Sequence, residues 1–382
     1  MEQKTIVILG AGIVGVSTAY FLTCKIKEAA LEKNYRITLV DQVGIAPCAS
    51  GNAAGFLSRN FSRGTTIEEL SEKGFDLHES LAKKLNGEAE YGYRRVKVLD
   101  VVGSLGKSHN KKEITWLENI QSANILGDKS DSAQVHPKKL CELLWKSAKE
   151  NGCEMVVGKV IDIKKADENI EGNLEIENKS RYVVRLESEA VLQADNIVLC
   201  LGPWTHHARR YALFADVPSG YFDVYGLRAH SLVFKTKDHV PGECLFLSVR
   251  DGKNFIESDI EVYPRPDGTI YVSGESMGSG EVISISPEEK ELGEPESYRK
   301  LEQVFSRFTK SMEKELVVKR ACYLPIRNRG VPIIGEIAGV PDVYMAAGHG
   351  CWGILNGPIT GQIVSELVLK IPSNQVDIKE FY

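Results

Sequence analysis

The sequence has no pair of cysteines at metal-binding or redox spacing. Its eight cysteines (Cys24, Cys48, Cys141, Cys153, Cys200, Cys244, Cys322 and Cys351) stand apart, with no CxxC among them. That absence argues against zinc ribbons and thioredoxin-type chemistry. It leaves thiols in apolar runs, such as Cys200 in IVLCLG, which read as reduced core residues of a cytoplasmic protein. Positive charge is not in excess either. Lysine and arginine number 47 against 52 acidic residues, a formal net charge of −5. The chain thus carries no electrostatic footprint for nucleic acid or an anionic bilayer. No apolar run approaches the roughly 18 residues of a membrane span, and MEQKTIVILG turns into a strand too early for a secretory leader. Internal repeats and low-complexity tracts are also missing. What remains is an ordinary globular composition, 43% apolar and 26% charged. Its 382 residues suit two lobes at about 150 residues each.

The first fifty-five residues carry the clearest pattern. Thr5–Leu9 (TIVIL) reads as a strand buried on both faces, and it runs into Gly10-Ala11-Gly12-Ile13-Val14-Gly15 and then a helical stretch. A second buried strand, Arg36–Val40, ends on Asp41 and Gln42. Each part has a physical reason. Gly10 permits a tight turn, Gly12 lets a pyrophosphate approach the backbone, and Gly15 lets helix and strand pack closely. The helix start offers N–H groups and a positive dipole end to phosphate. Asp41 can accept both hydroxyls of a ribose, and an acid there disfavours a 2′-phosphate. The order strand, turn, helix, strand, acid lifts a bare GxGxxG into a dinucleotide site, and at this point both FAD and NAD fit it. Ser50-Gly51-Asn52-Ala53-Ala54-Gly55 follows. Its small side chains would let the main chain approach a planar ligand, with Ser50 on a phosphate; the plain alternative is a flexible loop.

Together these segments resemble the D-amino acid oxidase and glycine oxidase type of FAD-dependent oxidoreductase. The resemblance continues along the chain. It includes Val135–Leu140 at a helix start, Val160 where the family's backbone meets adenine, and Ala194–Trp204 (ADNIVLCLGPW) with Gly202 and Trp204. It also takes in Arg228 in LRAHSLVF and the Tyr263–Gly268 hairpin YPRPDG. The most specific match is Gly348-His349-Gly350-Cys351-Trp352-Gly353-Ile354-Leu355-Asn356-Gly357-Pro358, ahead of a helix expected over Ile359–Val368. In the family this segment wraps the isoalloxazine end of the flavin, with a second helix dipole toward the ring.

The resemblance implies an α/β fold, with a Rossmann-like FAD-binding domain and a discontinuous, antiparallel-sheet substrate domain. Residues 1–60, 132–205 and 320–382 would form the first, and 61–131 and 206–319 the second. It implies FAD, a small-molecule amine or amino-acid substrate oxidised at its C–N bond by hydride transfer to flavin N5, and oxygen or another electron acceptor. Within the second domain, DVYGLRAHSLVF and YPRPDGTIYVSGES read as long strands around a Pro-Asp-Gly turn, and residues 286–308 as a loop followed by an amphipathic helix. Residues 128–132 and 164–180 read as surface loops or hairpin tips.

One departure stands out. Where the family's oxidases carry an arginine that clamps the substrate carboxylate, this chain has Leu324, in CYLPIRNRGVPIIG. Leucine cannot make a bidentate, charge-assisted pair. Either Arg327, Arg329 or Arg228 takes that role from another direction, or the substrate lacks an α-carboxylate. Tyr225 and Tyr263 are the other substrate-face candidates, with core packing or a contact between lobes as the equal alternative. Cys322 stands near the position where the monomeric sarcosine oxidase branch tethers its flavin, although a cysteine in an apolar strand is ordinarily inert core. His206 and His207 look like a metal pair, but adjacent histidines at a helix start diverge, and no metal is expected. Two alternatives stay open: a flavin-stabilised regulatory or interaction protein with little turnover, and an NAD-dependent dehydrogenase.

Overall fold

The β-branched run near the N-terminus forms the strand Lys4–Leu9, inside a six-stranded sheet. Our description comes from a computed structural model, which describes residues 3–104, 114–166, 180–251, 254–281, 283, 293–372 and 375–381. The strand order in this sheet is Ile333–Glu336, Val343–Ala347, Asn196–Leu199, Lys4–Leu9, Tyr35–Asp41, Glu154–Val157. All neighbours pair in parallel except the edge strand Ile333–Glu336. A parallel sheet needs both faces covered, which explains its unbroken apolar runs. Alternate residues divide the work. Ile6 and Ile8 pack with the helices Ile13–Glu28, Pro137–Glu150 and Gly353–Leu369. Val7 and Leu9 pack on a three-stranded antiparallel sheet of Val160–Lys165, Tyr182–Leu186 and Val191–Ala194.

A second, seven-stranded sheet runs in the order Lys314–Ile326, Tyr225–Thr236, Thr269–Glu281, Asn254–Pro264, Glu243–Asp251, Lys97–Ser104, Ile120–Gly127. Its pairs are antiparallel except Glu243–Asp251 with Lys97–Ser104. The expected Pro-Asp-Gly turn closes the hairpin, with Gly268 at φ +79° and its N–H donating to the Arg265 carbonyl at 3.2 Å. The amphipathic helix is Pro295–Phe308, and Leu301, Phe305 and Phe308 bury its apolar face on this sheet. Residues 167–179 and 286–292 of the expected loops lie outside the described residues. The strand Lys314–Ile326 pairs with Tyr225–Thr236 along its whole length. The chain next joins the six-stranded sheet at Ile333.

Two helices depart from expectation. Glu68–Lys84 falls in the segment 61–131 expected in the second domain, yet it packs on the C-terminal helix, with Leu70, Gly74, Phe75, His78 and Leu81 among its buried residues. The C-terminal helix starts at Gly353 rather than after Pro358, so the proline lies inside it. Proline at an interior position removes one backbone bond and crowds the carbonyl four residues earlier, which is why the sequence suggests a later start. This helix also lies close against Ile13–Glu28. A Cβ on Gly357 would sit 2.7 Å from Ile13 Cγ1, and one on Gly361 2.6 Å from Ser17 Cβ. These two glycines, one turn apart, bring the starts of both helices side by side.

Candidate cofactor and substrate site

A cleft of about 630 Å³ opens at the carboxyl ends of the strands Lys4–Leu9, Tyr35–Asp41, Asn196–Leu199 and Val343–Ala347. This is where open α/β sheets hold their ligands, and the volume is that of a small-molecule or cofactor site. Both helix starts face it, through Gly12, Ile13 and Val14 on one side and Gly350, Gly353 and Ile354 on the other.

The glycine-rich turn is held by contacts of atomic closeness. Gly10 has φ +102°, and a Cβ there would lie 2.2 Å from the Cys200 carbonyl oxygen. A Cβ on Gly15 would lie 1.8 Å from the Gly10 carbonyl oxygen. Above Gly12 the nearest heavy atom to a Cβ is Ser50 Oγ at 3.1 Å, so the backbone is bare toward the cleft. Asp41 braces this turn: Oδ2 accepts the Ala11 N–H at 2.8 Å, while Oδ1 accepts those of Val43 and Gly44 at 2.9 and 3.0 Å. A carboxylate has about four acceptor positions, so these three bonds leave room for a ligand hydroxyl. Ser50 Oγ accepts the Ile13 N–H at 2.9 Å and so caps the helix start that Gly12 leaves without a side-chain cap.

Of the residues singled out in the sequence, Gly10, Gly12, Ile13, Val14, Asp41, Gln42, Ser50, Ala53, Val160, Gly202, Trp204, His349, Gly350, Cys351, Gly353 and Ile354 line the cleft. Ala11, Gly15, Gly51, Asn52, Ala54, Gly55, Trp352 and Leu355 do not. Gly15 and Ala11 serve the turn, and Leu355 is core at 1% exposure. A Cβ on Gly51 or Gly55 would lie 2.1 Å from the carbonyl oxygen of Ala46 or Val135. The SGNAAG loop is therefore small for packing as well as for a ligand. Its carbonyls are gripped from the larger sheet: the buried Arg265 guanidinium donates to Ala53 and Ala54 at 3.2 and 3.3 Å, and the Tyr271 hydroxyl to Asn52 at 3.0 Å.

At the other end, His349 is buried and shares a 2.9 Å hydrogen bond between Nε2 and Thr360 Oγ1. Burial lowers its pKa to about 4, so its ring is neutral at neutral pH. Beyond it lies a smaller recess of about 240 Å³ that shares Leu324 and Gly348–Cys351 with the cleft. Leu227, Ile326, Pro332 and Trp352 give it apolar walls, and Arg327 and Asn356 are its polar members. The Arg327 Nε and the Asn356 Oδ1 are both buried without a hydrogen-bond partner.

The remaining candidates lie elsewhere. Tyr263 is 1% exposed, donates to Glu261 Oε2 at 2.8 Å and stacks on Phe56, which makes it core rather than substrate face. Arg228 pairs with Glu294 at 2.9 Å, the Tyr225 ring lies tilted against His206, and Arg329 is exposed; none lines either cavity. Cys322 is buried and lines neither cavity, and burial pushes its thiol up to about 12. His207 lines the cleft while His206 is buried, their ring centroids 6.3 Å apart. Among the described residues no group of His, Cys, Asp and Glu could hold a metal, and no helix is long and apolar enough to cross a membrane. Sequence reasoning missed Lys159, Arg210 and Tyr211 on the cleft wall and Asn356 in the recess. Only Asn356 lay within a recognised motif.

Comparison with known proteins agrees with this geometry. A model of the FAD-dependent oxidoreductase family matches residues 5–367. A Schizosaccharomyces pombe protein, C1F5.03c, named as an oxidoreductase, is 30% identical, with 99% of this chain and 97% of that one aligned. Glycine oxidase of Bacillus subtilis is 24% identical over 97% of this chain and 94% of its own. Among solved structures, glycine oxidase from Geobacillus kaustophilus superposes with a TM-score of 0.73 at 16% identity, covering 100% of this chain and 98% of that one. The donor set suits the family's cofactor. A bare glycine and a helix start fit a pyrophosphate, an acid at the second strand's end fits a ribose, and a second helix start fits an electron-rich ring. FAD replaces NAD as the reading of the cleft. The chain belongs to the FAD-dependent oxidoreductase family.

Proposed function

We propose that this protein oxidises the C–N bond of a small amine or amino acid, which it takes into the recess beside His349. The observation that carries the reading is the pair of orphaned buried groups in that recess, Arg327 Nε and Asn356 Oδ1. A buried donor and a buried acceptor without partners each cost about 1–3 kcal/mol, so a ligand that satisfies both binds with that advantage. An anionic oxygen would take the guanidinium, and a substrate N–H would meet the amide oxygen. The bound flavin would supply the two-electron acceptor. Leu324, Leu227 and Ile326 would exclude water, and neutral His349 would hold its hydrogen bond to Thr360 rather than carry a proton at neutral pH. In this reading the six-stranded sheet carries the FAD-binding lobe, the seven-stranded sheet carries the substrate lobe, and oxygen or another acceptor restores the cofactor.

An anaerobic screen of the purified holoprotein against amines, N-methylated amino acids and D-amino acids tests the proposal. Bleaching of the flavin band by at least one member is expected. Changing Arg327 to leucine should then raise the apparent KM for carboxylate-bearing substrates about a hundredfold, as loss of a charge-assisted pair implies. A screen in which nothing bleaches the flavin overturns the reading. It would favour a protein that keeps the flavin for its fold, a second reading supported by the apolar Leu324 at the mouth of the recess.

A further inference from the structure

The helix that faces the ring end of the cleft contains a proline that should weaken its own start. In an α-helix the carbonyl of residue 354 accepts the N–H of residue 358, and Pro358 has none. The Ile354 carbonyl is not left bare. His78, from the helix Glu68–Lys84, meets it with Nε2 at 2.8 Å. A carbonyl only accepts, so Nε2 carries the proton; His78 Nδ1 is buried without a partner. His78 is fully buried, and burial holds its pKa at about 4, so the ring is neutral and this tautomer persists at neutral pH. One turn earlier, Gly74 clears the way: a Cβ there would lie 2.7 Å from the Leu355 carbonyl oxygen and 3.3 Å from Asn356 Oδ1.

We propose that His78 is a positioning residue for the flavin: it replaces the backbone donor that Pro358 removes and so fixes the Gly353–Asn356 turn against the ring end of the cleft. The residue touches neither cavity. It acts through Ile354, which lines the cleft, and through Asn356 beside it, which lines the recess. Proline keeps the Ile354 carbonyl turned outward, and histidine from a different part of the chain receives it. A helix start that would otherwise fray is thereby locked by a side chain 276 residues away.

The inference rests on the flavin ring lying at residues 348–358, so the test includes a variant that addresses the cleft alone. Apoprotein of each variant is titrated with FAD, and the spectrum and reduction potential of the reconstituted flavin are recorded at saturation. His78→Leu, which keeps bulk and loses the donor, is expected to weaken FAD about tenfold and shift the flavin spectrum. His78→Gln, whose Nε2 amide can reach the same oxygen, should stay within about threefold of the parent. Pro358→Ala restores the backbone N–H, so in that background His78→Leu should lose most of its effect. Equal losses in the leucine and glutamine variants, or an undiminished penalty in the alanine background, overturn the proposal. If His78→Leu alone does not fold, the Pro358→Ala double variant decides: the proposal requires it to fold and bind FAD. Gly12→Val serves as the reference. If it leaves FAD binding intact, the reading of the cleft fails; if it abolishes binding while His78→Leu matches the parent, only the inference about His78 fails.

Discussion

The two ends of the cofactor cleft are built from the same device, a helix start with glycines before it, but they are stabilised differently. At the phosphate end the bracing is mostly local. Asp41 lies 30 residues from the Ala11 N–H it accepts, Gly15 closes on the Gly10 carbonyl within one strand–turn–helix unit, and Ser50 and Cys200 crowd Gly12 and Gly10 from further along the chain. At the ring end the helix contains Pro358, and the Ile354 carbonyl near its start depends on His78, 276 residues away. His349 and His78 both sit at the ring end, each held at about 4 by burial, and His136 beside Arg265 is lowered to about 4 as well, chiefly by burial. The phosphate end is thus a turn whose tightest constraint lies within its own unit, with Cys200 and Arg265 added from afar, and the ring end is a joint between one helix start and a side chain of a distant helix.

The largest effect should come from breaking the self-supporting end. In Gly15→Val the new Cβ would need to occupy space 1.8 Å from the Gly10 carbonyl oxygen, and that backbone cannot yield without opening the turn. We expect a loss of about 3 kcal/mol or more and no flavin in the purified fraction, measured by denaturant unfolding and the visible spectrum.

Acid should act next, through His78 and His349 at the ring end and through His136 beside Arg265. The folded pKa of about 4 for His78 and His349 lies below the unfolded value near 6.5, so between those limits the unfolded chain binds more protons. Stability is therefore full above about pH 6.5 and declines as pH falls toward 4, with a slope of up to about 1.4 kcal/mol per unit for each imidazole. Unfolding midpoints followed from pH 7.5 to 4 should show this decline, and His78→Gln should reduce the slope. A slope identical in parent and variant would remove the titration from the comparison.

Arg265→Leu should cost less, about 2 kcal/mol, by leaving the Ala53 and Ala54 carbonyls without their donor. It sharpens the contrast because Arg265 is the principal long-range brace at the phosphate end. FAD affinity should fall together with stability, in contrast to His78→Leu, whose effect is expected to centre on the flavin spectrum. The two are separated by comparing FAD titrations with denaturant midpoints.

What was legible in the sequence follows the same division. The strands at 4–9 and 35–41, the turn at 10–15 and the Pro-Asp-Gly hairpin could be read because their constraints are local: β-branched runs, a positive φ, a close helix–strand contact. The motif at 348–358 could be placed at the cleft by its glycines. Its helix start could not, because Pro358 looks like a boundary until His78 is known to receive the Ile354 carbonyl. The packing of the helix Glu68–Lys84 on the C-terminal helix and the grip of Arg265 on residues 53–54 leave no local signature, since the partners lie far apart in sequence. Tyr263 stays open in the sequence for a related reason. A tyrosine in a strand has the same pattern whether it faces a ligand or, as here, donates to Glu261 within the core.

The smallest expected effect concerns Cys322, whose position in the sequence invites a tether to the flavin. Its side chain is buried in the strand Lys314–Ile326, two residues before Leu324, and only Leu324 and Pro325 of this strand's end line the cleft. Burial pushes the thiol up to about 12, which keeps it protonated and a poor nucleophile. Cys322→Ala should therefore cost about 1 kcal/mol, the loss of one small buried group, and leave flavin content unchanged. In parent and variant alike, acid precipitation should release the flavin into the supernatant. A flavin that stays with the parent's pellet and leaves the variant's would mean that the strand end moves at least far enough to bring Cys322 to the ring. The ring end would then be a joint that shifts when the cofactor binds, and the phosphate end alone would be preformed.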